Sequence, residues 1–220
     1  METNPLLTIE ELVTESERFC SIMSKGVHED IRGLNDGKKV GTYIEHKFKD
    51  ILLGKYTVEI GSSAKGIDLP GTSINTDIKT TSIVQPQSSS PFKSARQKIF
   101  GLGYNILLFV YEKNDELENN LKFLHSRFID KSRTADFQTT SRLNEIVNND
   151  GNLDDIEALL RDRNLPVDEI ELKTISKEIL KNPPKIGYLT ISNALQWRLQ
   201  YSRVIRLDKP VEGVIKIYDD

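Results

Sequence analysis

Cysteine, histidine and long apolar runs are scarce in this 220-residue chain, and each scarcity excludes a class of protein. The one cysteine, Cys20, cannot form an internal disulfide, and His28, His46 and His125 lie too far apart for zinc-ligand spacing. No segment reaches the roughly 18 consecutive apolar residues of a membrane-spanning helix, and the first residues lack a basic flank followed by an apolar stretch. We therefore expect an intracellular, cytoplasmic protein with no structural zinc and no membrane partner.

Acidic residues are missing from two stretches of the chain, although its net charge is −3. Residues 78–111 and residues 179–207 contain lysine and arginine but neither aspartate nor glutamate, whereas residues 112–178 between them are rich in acids. If the two acid-free stretches share a face, they form a positively charged surface that suits a phosphate backbone. The alternative is chance clustering on two separate surfaces.

The composition, 37% hydrophobic and 29% charged, suits a folded protein rather than a disordered chain. A length of 220 residues is enough for one sizeable core, so we predict a single domain. The predicted class is α/β (α+β), with a central mixed β-sheet flanked by helices. We divide the chain into an N-terminal helical region 1–40, a core 41–111, a mainly helical insertion 112–182 and a C-terminal strand–helix–strand segment 183–220.

Local patterns place the first elements. Thr8 and Glu11 have the spacing of a capping box at the start of a first helix. Apolar residues at helical intervals from Ile44 to Leu52 predict a second helix, with Glu45 at the edge of its apolar stripe. Residues 56–60 alternate between apolar and polar side chains, which predicts a strand.

The following segments predict a hairpin and then a parallel crossover. Residues 65–69 and 74–80 read as strands around the turn Pro70–Ser73. A short helix near residues 94–100 leads to the apolar run 105–111, which is typical of a fully buried strand. Because a helix connects the two strands, we expect them to be parallel neighbours in the sheet.

The hairpin register brings chemically useful side chains together. With a four-residue loop, Asp68 lies opposite Asn75, and Asp77 and Lys79 point to the same side. Two carboxylates so placed repel each other unless a cation lies between them, and oxygen ligands select a hard ion such as Mg²⁺. The ammonium of Lys79 can orient or help deprotonate a water molecule that attacks a phosphate.

Asp68, eight intervening residues and then Asp77, Ile78 and Lys79 resemble the motif of the PD-(D/E)xK nucleases. The order of helix, strands, helix and strand around this motif is similar to that family's core. One letter departs from the family pattern, because Ile67 stands where the family has proline.

The resemblance implies a function for each motif residue. It implies that Asp68 and Asp77 bind Mg²⁺ and that Lys79 acts on the attacking water. These three residues are the predicted catalytic set. Family members sometimes use a further acid from the preceding helix or strand, which makes Glu45 or Glu59 a candidate auxiliary ligand.

The resemblance also implies a restriction-endonuclease-like core with a helical insertion and a C-terminal extension. Among members of that family, a compact chain with a long helical insertion and a C-terminal extension most resembles a type II restriction endonuclease. The expected protein therefore cuts double-stranded DNA at a specific short site as a homodimer. A repair or junction-resolving nuclease of the same superfamily is one alternative. A DNA-binding protein without catalytic activity, in which the acids are structural, is another.

DNA contacts require cations and small donor groups on accessible loops or helices. We expect a helix from Ser192 to about Val204 whose polar face reaches the bases. The predicted DNA-binding residues lie beside the motif, in the loop and helix after it, and on that later helix: Ser62, Ser63, Lys65, Thr80, Gln85, Gln87, Lys93, Arg96, Gln97, Lys98, Gln196, Gln200 and Arg203.

Overall fold

The chain forms two compact units whose segments alternate along the sequence. The computed structural model describes residues 4–61, 66–91, 93–192 and 197–220. Unit 1 comprises Met1–Pro86, Tyr104–Ile129 and Asp208–Asp220. Unit 2 comprises Gln87–Gly103 and Asp130–Leu207.

Unit 1 is a mixed four-stranded sheet with two long helices packed against it. Its elements are α1 (Ile9–Met23), α2 (Gly37–Lys55), β1 (Thr76–Ser82), β3 (Asn105–Lys113), β4 (Leu121–Ile129) and β7 (Val214–Asp219). The strand order is β1-β3-β4-β7, in which β1 and β3 are parallel and the other two pairs antiparallel. The mixed sheet flanked by helices is the predicted fold class, which is thus confirmed.

Two features of unit 1 agree with the sequence patterns, namely the start of α1 and the buried strand β3. Thr8 and Glu11 form the predicted capping box at the start of α1. The first seven residues of β3 are buried, as expected for its apolar run. Aromatic rings from α1, α2, β3 and β4 meet in this core, where Phe19, Phe48, Phe109 and Phe123 stack edge to face or tilted.

Glu15 of α1 is a buried carboxylate in this unit, and it binds two cations. Its oxygens lie 2.7 Å from Lys55 Nζ and 3.0 Å from Arg18 Nη1, and the Tyr56 hydroxyl donates a third bond. Burial opposes ionisation, but the hydrogen bond and charge of Lys55, with Tyr56 and Arg18, outweigh it and hold the pKa of Glu15 below 4.5.

Glu15→Gln should lower the free energy of unfolding by about 1–2 kcal/mol at pH 7. Because the folded pKa lies below the unfolded one, this contribution is complete above pH 4.5 and is lost as the pH falls through the folded pKa. Urea unfolding of both proteins at pH 7 and pH 3 measures it. The exposed Glu17, changed to glutamine in the same helix, is the control, and an equal loss in both variants would contradict the role of Glu15.

Two predictions about secondary structure in unit 1 are wrong. Residues 56–60 form no strand, because Thr57 makes a single isolated bridge to Leu6, while Val58 and Ile60 pack half-buried against the core. Residues 121–129 form β4 where a helix was expected. The apolar Leu121 and Phe123 flank the polar Lys122, and this short alternation is the strand signal in the sequence.

Unit 2 combines a small sheet with five α-helices within its described residues. Its elements are β2 (Gln87–Ser90), α3 (Arg96–Phe100), α4 (Phe137–Asn148), α5 (Leu153–Asp162), α6 (Glu169–Lys181), β5 (Thr190–Ser192), β6 (Trp197–Gln200) and α7 (Ser202–Ile205). The strand order is β2-β6-β5, with both pairs antiparallel. Apolar residues of α3, α4, α5 and α6 form a second core.

The helix expected from Ser192 to Val204 is wrong. Ser192 ends strand β5, and Trp197–Gln200 is strand β6. Trp197 and Leu199 are buried whereas Arg198 is exposed, which is the two-residue period of a strand. Among the residues of this segment that the structure describes, only Ser202–Ile205 is helical.

No helix in the described parts of the chain combines the length and the apolar character that crossing a lipid bilayer requires.

Candidate active site

A wide loop before β1 sets the geometry of the candidate site in unit 1. Leu69 and Thr76 form an antiparallel bridge with two backbone hydrogen bonds of 2.9 Å. Asn75 adopts a left-handed backbone with φ of 37°, which asparagine tolerates, so the loop takes in residues 70–75. The predicted register, with Leu69 opposite Ile74, is therefore wrong by two residues.

A shift of two residues keeps every side chain on its predicted face, whereas a shift of one would invert the faces. Asp68 and Asp77 accordingly lie on one side, and their carboxyl groups share a hydrogen bond. The backbone N–H of Ile78 donates a 2.8 Å hydrogen bond to Asp68 Oδ2, which ties Asp68 to β1. The structure thus brings the two predicted acids into direct contact.

Two lysines approach the acids from different elements. Lys79 Nζ lies 2.7 Å from Asp77 Oδ2, two residues along the same face of β1. Lys49 of α2 binds two carboxylates, with Nζ 2.7 Å from Asp68 Oδ1 and 2.5 Å from Glu45 Oε1. Glu45, Lys49, Asp68, Asp77 and Lys79 therefore form one connected cluster.

Burial and mutual contact shift the pKa values of this cluster. Burial raises the pKa of Asp77 to about 7, with Lys79 opposing the rise and the hydrogen bond to Asp68 adding to it. Burial also opposes ionisation of Asp68, but hydrogen bonds from Asp77, Lys49 and the Ile78 N–H hold its pKa below the usual range. Burial raises the pKa of Glu45 despite its bond to Lys49.

Lys49 is a residue of the cluster that the sequence analysis did not predict. Its spacing of four residues from Glu45 on a helix was the available signal, because side chains four apart are neighbours on the helix surface. Its second bond, to Asp68, depends on the packing of α2 and could not be read from the chain. Burial opposes the charge of Lys49, but hydrogen bonds to Asp68 and Glu45 outweigh it and raise the pKa of Lys49.

Gly61 is a second residue that the sequence did not reveal. Its N–H donates a 2.8 Å hydrogen bond to the Asp68 carbonyl oxygen. A Cβ atom at this position would lie 1.8 Å from the carbonyl oxygen of Ile67, a distance that no real side chain adopts. Glycine at position 61 therefore allows the backbone approach that holds Asp68 beside β1.

The two candidate auxiliary acids have different surroundings. Glu45 is part of the cluster, whereas Glu59 is an exposed residue of the segment that follows α2. Within the described residues, no three His, Cys, Asp or Glu side chains are grouped so that they enclose a metal ion by themselves.

Several predicted DNA contacts have internal partners. Thr80 lies on the opposite face of β1, where its Oγ1 packs against Gly41 of α2. In unit 2, Arg96 forms a 2.5 Å ion pair with Glu178 and lies over the Phe100 ring.

Three further predicted contacts are also engaged within unit 2. The Gln97 side chain binds the backbone of Lys93 and Leu102. Lys98 is buried, and Arg203 stacks on Phe137 at 3.5 Å from the ring centroid. Each of these side chains therefore has a structural role, in packing or capping, within unit 2.

The remaining predicted contacts fall into two sets. Gln85 and Lys93 are exposed, and Gln87 and Gln200 are partly exposed. Four predicted residues lie outside the described residues: Ser62, Ser63, Lys65 and Gln196.

Comparison with known proteins identifies the family. The family model described as "Type II restriction enzyme NspV" matches residues 6–216. A curated protein named "Type II restriction enzyme NspV", from Nostoc sp. (strain ATCC 29411 / PCC 7524), is 53% identical over 216 residues, which are 97% of each chain. These matches confirm the expected type II restriction endonuclease. The chain belongs to the NspV family of type II restriction enzymes.

Proposed function

We propose that this endonuclease hydrolyses phosphodiester bonds of double-stranded DNA at a specific short site and that it uses Mg²⁺. The observation that carries the proposal is the contact between Asp68 and Asp77, with Lys79 bound to Asp77. Membership of a type II restriction enzyme family supports DNA hydrolysis as the reaction. The acids and the ammonium of this cluster are groups suited to that reaction.

The carboxylates fit a magnesium ion. Mg²⁺ keeps several of its waters and is held by one or two protein carboxylates together with substrate phosphate oxygens, so Asp68 and Asp77 suffice as protein ligands. Asp77 is buried and Asp68 is partly buried, and two carboxyl groups in contact are a donor set that a divalent cation would stabilise. When bound, the ion polarises the scissile phosphate and lowers the pKa of a coordinated water.

The side chains divide the remaining tasks among themselves. Lys79 holds Asp77 in place and presents an ammonium where an attacking water and the charged phosphate meet. Lys49 holds Glu45 and Asp68 together and is a positioning residue. Glu45 is the auxiliary ligand that the cluster favours over the exposed Glu59.

We further propose that the enzyme acts in the cytoplasm as a homodimer. Two identical sites related by a two-fold axis address both strands of a palindromic sequence, so protein symmetry matches site symmetry. Among the predicted DNA contacts, Gln85, Gln87, Lys93 and Gln200 are carried forward because they are at least partly exposed.

Incubation of the purified chain with a long DNA of known sequence tests the proposal. We expect discrete fragments with Mg²⁺ and intact DNA with EDTA. A smear, or cutting confined to branched DNA, would favour the repair or junction-resolving alternative. Intact DNA under all conditions, together with binding, would favour a protein without catalytic activity.

A further inference from the structure

The small sheet of unit 2 joins the two acid-free stretches of the chain. Strand β2 comes from residues 78–111, and strands β5 and β6 come from residues 179–207. β6 lies in the middle and pairs with both of the others. A sheet is thereby formed in which none of the described strand residues carries a negative charge.

The two faces of this sheet differ in chemistry. One face is turned inward and carries the buried Ser90, Ile191, Trp197 and Leu199. The other face, here called the polar sheet face, consists of two rows of residues in register across the three strands: Gln87, Gln200 and Thr190 in one row, and Ser89, Arg198 and Ser192 in the other.

Arg198 dominates the polar sheet face. It is exposed and lies on the central strand between Ser89 and Ser192, both of which have short side chains. Gln200 lies two residues along the same strand, about 6.8 Å away, which is about two base-pair steps of DNA. The polar sheet face thus presents one guanidinium, which is planar and donates two parallel hydrogen bonds, together with carboxamides and hydroxyls. It carries no acid that would repel phosphates.

These groups match base edges in the major groove better than they match phosphates alone. Arginine binds the O6 and N7 atoms of guanine through two parallel hydrogen bonds, and glutamine binds N6 and N7 of adenine in the same way. Strands of a small sheet enter the major groove in several known classes of DNA-binding protein. A face intended only for phosphates would need more cations than the one that these six residues contain.

We propose that the polar sheet face reads double-stranded DNA from the major groove, with Arg198 contacting a guanine edge and Gln200 a base about two steps away. The inference rests on the proposed function, because it assigns specificity to an enzyme that cuts at a defined site. It adds Arg198, which the sequence analysis did not select, to the residues that determine which sequence is cut.

The test compares Arg198→Ala and Arg198→Lys with the unmodified protein. Binding is measured by fluorescence anisotropy, in Ca²⁺ without Mg²⁺, on a duplex carrying the cleavage site mapped from the fragments and on a scrambled duplex. Arg198→Ala should lose roughly 10- to 100-fold in affinity for the site duplex and little for the scrambled one. Arg198→Lys should lose discrimination as well, because lysine keeps the charge but lacks the fork of donors.

Arg206→Ala is the matched control, since it removes another exposed cation from the same acid-free stretch but not from the polar sheet face. Equal, sequence-independent losses in both alanine variants would overturn the inference and assign Arg198 to phosphate binding. If the unmodified chain cuts at discrete sites and Arg198→Ala keeps full discrimination, the inference fails while the proposed function stands. If the unmodified chain cuts no DNA, both fail.

Discussion

Asp77→Asn is expected to slow Mg²⁺-dependent DNA cleavage by at least about 100-fold while the protein stays folded. Asparagine keeps the shape of the side chain but lacks the charge that pairs with Lys79 and that we propose binds a divalent cation. Because Asp77 is buried in contact with Asp68, removing its charge relieves repulsion between two acids. The melting temperature should therefore be unchanged or higher, whereas the cleavage rate collapses.

Single-turnover cleavage of a DNA carrying the mapped site, together with thermal unfolding, measures both quantities. Asp50→Asn is the matched control, because Asp50 is an exposed acid on α2 of the same unit. It should cut at the unmodified rate. Cleavage by a folded Asp77→Asn protein at that same rate would show that Asp77 is not a metal ligand.

Gly61→Ala is the second substitution with a large expected effect. The added methyl group would lie 1.8 Å from the Ile67 carbonyl oxygen, so the two backbone segments must move apart. This movement breaks the hydrogen bond from the Gly61 N–H to Asp68 and displaces Asp68 from Asp77. A displacement of about 1 Å at a catalytic group costs about 100-fold in rate, and we expect a loss of that size.

Gly54→Ala provides the control for Gly61→Ala. Gly54 is in the last turn of α2, and nothing lies within 4 Å of a Cβ atom built there. Alanine should stabilise the helix by about 0.5–1 kcal/mol and leave cleavage unchanged. Steady-state cleavage assays and urea unfolding of both variants give the comparison. If Gly61→Ala cuts as fast as Gly54→Ala, the backbone contact at Gly61 does not position Asp68.

The parts of the fold that could be predicted are those set by local patterns. The capping box at Thr8 and the buried run of β3 depend on neighbouring residues alone, and both are confirmed. The face shared by Asp68 and Asp77 was also predictable, because side-chain parity in a strand does not depend on the length of the loop. The register itself was not, since it depends on the left-handed backbone of Asn75.

The parts that could not be predicted depend on partners distant in the sequence. Strand β4 contains His125, Ser126 and Arg127, a polar run that is unusual for a central strand. Arg127 is buried there because it donates to the Tyr218 carbonyl oxygen and pairs with Asp219 at 2.7 Å, both from β7. No pattern within β4 reveals that Arg127 has a partner 91 residues later in the chain.

The position of β7 has a consequence for how the enzyme is made. β7 completes the sheet of unit 1 beside β4, yet its residues are synthesised after those of unit 2. When the acids and lysines of the cluster have already been synthesised, a ribosome-bound chain still lacks the edge strand β7. That strand supplies the hydrogen bond and the ion pair of Arg127. The four-stranded sheet of unit 1 is therefore complete only after β7 has been synthesised, and a chain truncated before Val214 lacks its edge strand.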